Sequence, residues 1–337
     1  MLFVIFCICV VMSDAVFHSQ HCFESKRPEW MCNYMKSNGR IFKSESEFQL
    51  VEQNLIRSHR ILSSHNVKNV SFELSEEVFV PNHHLRKHRL RKKRPLTGAH
   101  KLLSLRRSRG RYDWRRYYGA VTPVKNQGQC GSCYTFAASA ALEFWSNLRR
   151  RDKHSLSEQI VLDCTSKPLG ENYGCEGGWV EEIFEYAKHH AVGAYLNYPY
   201  QATNQSCPTS LVPSRVQVFA HRSLSTYDDE YAERRLAYIV RRFGPTAVGI
   251  DVGTTELLFY YNGGIFPGDA CGKSIDHAVT IVGYTPKYWI IKNSWGRKWG
   301  VNGYLYLERG VNACGVANYV NFITKAKPLP NIPKTCI

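Results

Sequence analysis

The chain has 337 residues, 44% of them hydrophobic, with 12 cysteines and a net charge of +16. That is enough apolar material for one sizeable globular unit plus an extension, and no stretch is apolar for long enough to span a bilayer. Most of the positive excess sits between Arg86 and Arg116, so it excludes reading the net charge as a property of the folded unit.

The first feature in chain order is the apolar run Leu2–Met12, followed by small residues up to Ala15. It has the length of a signal peptide, expected over residues 1–15, and with the many cysteines it predicts passage through an oxidising compartment and no membrane anchor. From Phe42 to Asn66 the spacing is helical, with Phe48, Val51, Leu55 and Leu62 on one stripe. Cys22 and Cys32 are close enough to pair, or either is free. The basic runs His84–Arg94 and Arg106–Arg109 have three readings: a patch for polyanions, a solvated linker, or a linker exposed for proteolytic trimming. No aromatic interleaving supports the first, so the last two together are favoured.

Beyond the linker, the polar, turn-forming run Gln127–Cys133 passes straight into Phe136, Ala137, Ala138, Ala140, Ala141, Leu142 and Phe144. This predicts a buried helix of about three turns with Cys133 in its first turn, where unpaired N–H groups and the helix dipole favour thiolate. Ser157 is an N-cap for a second helix, and a third is expected from Trp179 to His190. From Val216 onward the pattern alternates: strands are expected at Val216–Phe219, Thr246–Val252, Ala278–Gly283, Trp289–Lys292 and Gly303–Glu308, with one helix at Asp228–Arg242. The fold class is α+β, a helical lobe facing a β-barrel-like lobe.

Cys133 comes from the first lobe; Asp276-His277-Ala278-Val279 and Lys292-Asn293-Ser294-Trp295-Gly296 come from the second. His277 follows Cys133 by 144 residues (277 − 133) and Asn293 by 160 (293 − 133). Singly, Cys133 reads as a structural thiol, His277 as an ordinary polar residue, Asn293 as a turn former and Gln127-Gly128 as a loop. Jointly, in this order and spacing, they fit a cysteine nucleophile with its base and orienting group. The three motifs, with Gln127-Gly128-Gln129-Cys130-Gly131-Ser132-Cys133, resemble the signatures of the papain-like cysteine peptidases, nearest to their cathepsin L-like branch.

The resemblance implies a two-lobed papain-like fold with the active site in the cleft between the lobes. It implies an inhibitory propeptide with the basic linker at 16–108, a peptidase domain at 109–324 and a C-terminal tail at 325–337. In the propeptide helix the family's spaced Glu-Arg-Phe-Asn-Ile-Asn pattern is matched in part: Glu47 and Asn66 agree, Leu55 and Leu62 are apolar stand-ins, and Val51 and Ser58 depart. Tyr112-Asp113-Trp114 is similar to a mature start, so trimming is expected near Arg109. By the same resemblance Cys133 is the nucleophile, His277 the general acid and base, and Asn293 the group orienting the imidazole. Gln127 supplies an oxyanion-hole donor beside the Cys133 N–H, and Trp295 shields the His–Asn bond. Tyr134 stands where the family usually has Trp; it keeps an aromatic plane with a polar tip, so activity is expected to survive.

Gly177 and Gly178 are expected to let an extended peptide approach the backbone. By the same resemblance Trp179, Val180, Gly249, Ile275, Ala278 and Tyr319 are expected around the main specificity pocket, made shallow by Trp179 and Tyr319, and Asp276 and Trp295 are also expected to bind substrate. The disulfides implied are Cys130–Cys175, Cys164–Cys207 and Cys271–Cys314, with Cys336 left over. Asn69 and Asn204 are N-glycosylation acceptors. No cofactor and no metal site are called for. The expected partners are protein or peptide substrates, the chain's own propeptide as inhibitor and polyanions at the basic linker; the active form is expected to be monomeric, in the lysosome or outside the cell. The alternatives are a catalytically impaired homologue that binds peptides and a basic-region interaction protein.

Overall fold

The computed structural model describes residues 27–38, 42, 44–64, 70–74, 110–148, 153–190, 192–208, 215–225 and 231–329. The signal segment, both basic runs, Cys22, Asn69 and Cys336 therefore lie outside the described residues. The chain forms two compact units, one holding residues up to His65 and the other holding nearly everything from Asn66 onward.

In the first unit, α1 (Glu29–Ser37) and α2 (Glu45–Ser64) bury Met31, Cys32 and Met35 from one helix and Phe48, Val51 and Leu55 from the other. The expected start at Phe42 moves to Glu45 because Ser44 accepts the Glu47 N–H at 3.2 Å, a side-chain cap that fixes where the helix begins. Phe42 instead packs edge-on against Phe48 at 5.1 Å. Arg27 grips Glu52 through two hydrogen bonds of 2.6 and 3.1 Å. Asn54 and Ser58 share the buried stripe, with Ser58 bonding back to the Asn54 carbonyl, so the departure at 58 from the family's spaced pattern is accommodated inside the helix.

The second unit is organised around α3 (Cys133–Asn147). Every residue of this helix except Trp145 is buried, as its nearly unbroken apolar sequence requires. It packs on the short helices α4 (Glu158–Cys164) and α5 (Val180–His189) on one side and on the sheet on the other. Ser157 caps α4, accepting the Ile160 N–H at 3.1 Å.

The sheet contains β2 (Tyr112–Asp113), β3 (Val216–Ser225), β4 (Thr246–Ile250), β6 (His277–Tyr284), β7 (Tyr288–Lys292), β8 (Tyr304–Glu308) and β9 (Tyr319–Pro328). Its order is β3-β9-β4-β6-β7-β8, with β2 added to β6 and every named pair antiparallel. The amphipathic helix α6 (Ala232–Phe243) turns Leu236, Ala237, Ile239 and Val240 inward. Two differences from the sequence reading share a cause. β3 runs to Ser225 rather than Phe219, and β9 runs through Pro328 where a tail was expected from residue 325. The two strands pair with each other along their whole length, Val216 opposite Pro328 and Ser225 opposite Tyr319, so each lengthens the other. A separate pair, β1 (Val70–Phe72) with β5 (Tyr261–Gly264), was not visible in the sequence pattern.

The three implied disulfides are present: Cys130–Cys175, Cys164–Cys207 and Cys271–Cys314. Cys32 is also disulfide-bonded. Among the described residues Cys133 is the free cysteine.

Candidate active site

Cys133 is the first residue of α3, His277 the first of β6, and Asn293 directly follows β7. The helical lobe therefore contributes the sulfur and the sheet contributes the other two. His277 Nε2 lies 2.8 Å from Asn293 Oδ1. A carboxamide oxygen only accepts, so Nε2 carries a proton and Nδ1 is the nitrogen left for chemistry. The Ala278 N–H, one residue along, donates to Cys133 Sγ at 3.4 Å and pins the sulfur to the start of β6. Trp295 lies over the imidazole with ring centroids 4.8 Å apart, itself backed by Phe259 and Trp299. The His–Asn bond is thus sheltered from water, which strengthens it.

Burial pushes the Cys133 thiol up to about 12. The Ala278 N–H and the first-turn N–H groups of Tyr134 and Cys133 pull it down, while the nearby Asp276 adds to the rise. The expected helix N-terminal effect is therefore present in direction, but desolvation outweighs it in this closed site. Asp276 is itself pushed up to about 7 by burial, opposed by the Val252 N–H and reinforced by Asp251.

Gln127 is held on several sides. Its N–H donates to the Ser294 carbonyl at 2.8 Å, its Oε1 accepts from Ser294 Oγ at 2.6 Å, and its Nε2 donates to the Cys130 carbonyl at 3.0 Å. One N–H of the amide is thus spent on Cys130, a use the sequence did not foresee. The second N–H of that group has no acceptor among the described residues.

Trp179, Val180 and Ala278 share one buried cluster with Cys133, and Ile275 and Tyr319 pack against it. Gly249 lies opposite Ala278 in the β4–β6 register. The Tyr319 hydroxyl accepts the Val180 N–H at 3.2 Å and donates to Glu181, which fixes its ring edge-on to Trp179. The Asp276 carboxylate accepts the Val252 N–H at 2.9 Å, so it braces a neighbouring loop. Gly177, at φ +106°, spends its N–H on Gly174 and its carbonyl on Tyr173 within a turn, so its backbone is already engaged. Gly178 is required by packing, since a Cβ there would lie 2.5 Å from Asn172 Oδ1 and 2.8 Å from the Tyr134 ring. Tyr134 is fully buried and donates to the Gly174 carbonyl at 3.1 Å, using both the plane and the polar tip expected of it. Asn204 is exposed, and its Oδ1 accepts the Cys175 N–H at 2.7 Å.

Behind the site lies a buried group of charges. Lys125 bonds to Glu143 at 2.8 Å and to Glu158, and Thr122 donates to Glu143 while accepting from Lys292 at 2.9 Å. Burial acts to raise the Glu143 carboxyl, but Lys125 and Lys292 outweigh it and hold it below the usual range. Burial raises Glu158 against the pull of Lys125, and it brings Lys292 down to about 8. A small cavity of about 20 Å³ adjoins these groups and Asn293. The signal for the cluster was legible: Glu143 interrupts an apolar helix and Lys292 ends an apolar strand, and a charge in such a place demands a partner. Among the described residues no group of three or more His, Cys, Asp or Glu is placed to hold a metal ion.

With this geometry established, comparison with known proteins gives the family. Residues 109–324 match the model described as "Papain family cysteine protease", and the chain belongs to that family. It is 41% identical to fruit bromelain of Ananas comosus over 215 residues, which span 61% of this chain and 57% of that protein. Mouse pro-cathepsin H is 31% identical over 314 residues, 89% of this chain and 90% of that protein. Among solved structures, digestive procathepsin L 3 of the Tenebrio molitor larval midgut superposes with a TM-score of 0.69 at 28% identity, covering 88% of this chain and 98% of that one. The match covers less than two thirds of several curated relatives, 57% of fruit bromelain and 47% of the oryzain beta chain of Oryza sativa.

Proposed function

We propose that this chain is a cysteine endopeptidase made as a zymogen. The observation that carries the reading is the His277–Asn293 bond of 2.8 Å beside a sulfur held at the start of α3. In the mechanism, the Cys133 proton passes to His277 Nδ1 and the thiolate adds to the peptide carbonyl carbon. The oxyanion so formed is held by the Cys133 N–H and the second Nε2–H of Gln127, groups worth about 3–4 kcal/mol each in comparable sites. Collapse expels the amine with the proton from His277, leaving a thioester. Water then adds, giving its proton to His277, and the C–S bond breaks to return the thiol. Burial favours the neutral thiol, so entry of water and the forming imidazolium must lower its pKa before attack.

Tyr319, fixed by Val180 and Glu181, sets a firm base to the specificity pocket, which favours medium aliphatic over large aromatic side chains. The pro-segment acts as inhibitor, trimming falls near Arg109, and the route is secretory, to lysosome or exterior; the likeness to full-length precursors supports this part. The basic linker offers polyanions a place to act on maturation, and the trimmed enzyme works as a monomer.

The test is turnover of fluorogenic dipeptide amides at mildly acidic pH with reductant, after incubation of the full chain. Val or Leu at the pocket position is expected to outperform Phe, and Cys133→Ala is expected to abolish turnover. Turnover that survives Cys133→Ala, or none from the parent chain, would overturn the assignment; the latter would favour a peptide-binding homologue.

A further inference from the structure

Tyr200 lies in neither the nucleophile nor the histidine motif, yet its hydroxyl bridges the main chain of Gln127 and the side chain of Ser132, the residue before Cys133. It donates to the Gln127 carbonyl at 2.8 Å and lies 2.5 Å from Ser132 Oγ. A carbonyl only accepts and a phenol carries one proton, so that proton goes to Gln127 and Ser132 is the donor in the other contact. The relay runs from Ser132, the residue before the nucleophile, through Tyr200 to Gln127.

Two independent features indicate that this relay is built in. Serine at a helix N-cap ordinarily accepts an N–H from the first turn, as Ser157 does for α4. Ser132 is the N-cap of α3 and makes no such side-chain bond; its hydroxyl is committed to Tyr200. A local rule broken at the nucleophile's own helix start marks a position set by function. The second feature is how firmly Tyr200 is seated. The Tyr198 carbonyl accepts from Ser157, the Gln201 N–H donates to Gln159 Oε1 at 2.8 Å, and Gln159 Nε2 holds the Thr203 carbonyl at 2.8 Å. The ring meets Phe136 of α3 edge-on at 4.9 Å. Tyr200 thus has little freedom except to hold the Gln127 peptide and Ser132 at a fixed separation.

We propose that Tyr200 is a positioning residue for oxyanion stabilisation, setting the Gln127 amide and the Cys133 N–H at one spacing through the Ser132–Tyr200–Gln127 relay. The proposal rests on the peptidase reading above. Tyr200→Phe keeps the ring and removes the relay's centre, and Ser132→Ala removes its first donor.

Each variant is expressed as the full chain and trimmed by the same added protease. Two rates are then compared: turnover of a dipeptide amide, and alkylation of Cys133 by iodoacetamide, which needs thiolate but no oxyanion hole. Tyr200→Phe is expected to lower kcat on the order of 10- to 100-fold with KM within about 2-fold, as for loss of a group used in the transition state. The alkylation rate and its pH profile are expected to stay within about 2-fold. Ser132→Ala should act in the same direction, and the double variant should be no worse than Tyr200→Phe alone, because both break one relay. The proposal is overturned if kcat of Tyr200→Phe stays within about 2-fold of the parent, if alkylation falls in parallel with kcat, or if the two losses multiply. Absence of turnover in the parent would instead sink the peptidase reading, so the two failures are separable.

Discussion

At the scale of the residue, titration offers the sharpest prediction. Asp276 in the folded chain is pushed up to about 7, mainly by burial, while the unfolded chain keeps an ordinary aspartate value near 3.8. Between those values the native state holds a proton that the unfolded state has lost, so stability falls as pH rises through the window. Above about pH 7 both states are ionised and the cost is fully developed. Asp276→Asn removes this dependence. The melting temperature of the variant relative to the parent should therefore climb from pH 4 to pH 7 and level off above it. A flat difference across that range would show that Asp276 is not a buried, titrating carboxyl.

The same scale shows where the sequence was legible. Cys133, His277, Asn293 and Trp295 could be found because each sits in a contiguous motif whose spacing has chemical meaning. Tyr200 and Ser294 could not, because their roles depend on which side of a loop faces Gln127, and that is decided by tertiary contacts. The partners that the fold gives the Asp276 carboxylate and the Gly177 main chain, Val252, Gly174 and Tyr173, were likewise not legible, because they too are set by how neighbouring loops fold back.

At the scale of the element, periodicity located helices α3 to α6 and strands β3, β4, β6, β7 and β8, but not β1, β2, β5 or β9, and capping chemistry located one boundary well. Ser157 was read as the N-cap of α4 and is one, with its hydroxyl also donated to the Tyr198 carbonyl. Ser157→Ala removes both bonds from a buried position and should lower stability by about 1–2 kcal/mol, read as a shift in denaturant midpoint at unchanged slope. β3 runs further than its alternation predicts and β9 is not predicted as a strand; both are set by pairing between segments about a hundred positions apart (Ser225 with Tyr319). Local alternation says that a strand exists but not how far its partner will carry it. The pair β1–β5 was missed for a related reason: Asn262, Gly263 and Gly264 carry no strand propensity, and their pairing with Val70–Phe72 is made by a segment nearly two hundred positions away.

At the scale of the whole molecule, the charges behind the active site join several parts of the second unit. Lys125 precedes the Gln127 loop, Glu143 lies on α3, Glu158 on α4, and Lys292 closes β7 beside Asn293. Lys125→Met would leave two carboxylates without their shared ammonium. Removing one partner of a buried ionic group costs about 3–5 kcal/mol, and this should appear in denaturant unfolding near neutral pH. The loss should shrink in acid, where Glu158, already displaced upward, takes up a proton. A loss below about 1 kcal/mol, typical of surface pairs, would mean the cluster is solvated.

The loop before Cys133 and the loop after Asn293 are stitched together by main-chain bonds, Gln127 N–H to Ser294 and Gly296 N–H to Lys125, within the bridge Asn126–Trp295. Main-chain stitching ignores side-chain identity but not residue count. Substitutions along either loop are therefore easily absorbed, whereas an insertion in one slides its partner out of step and displaces amide donor and imidazole holder together. Anyone transplanting this chemistry to another scaffold would have to carry both loops as a single cassette.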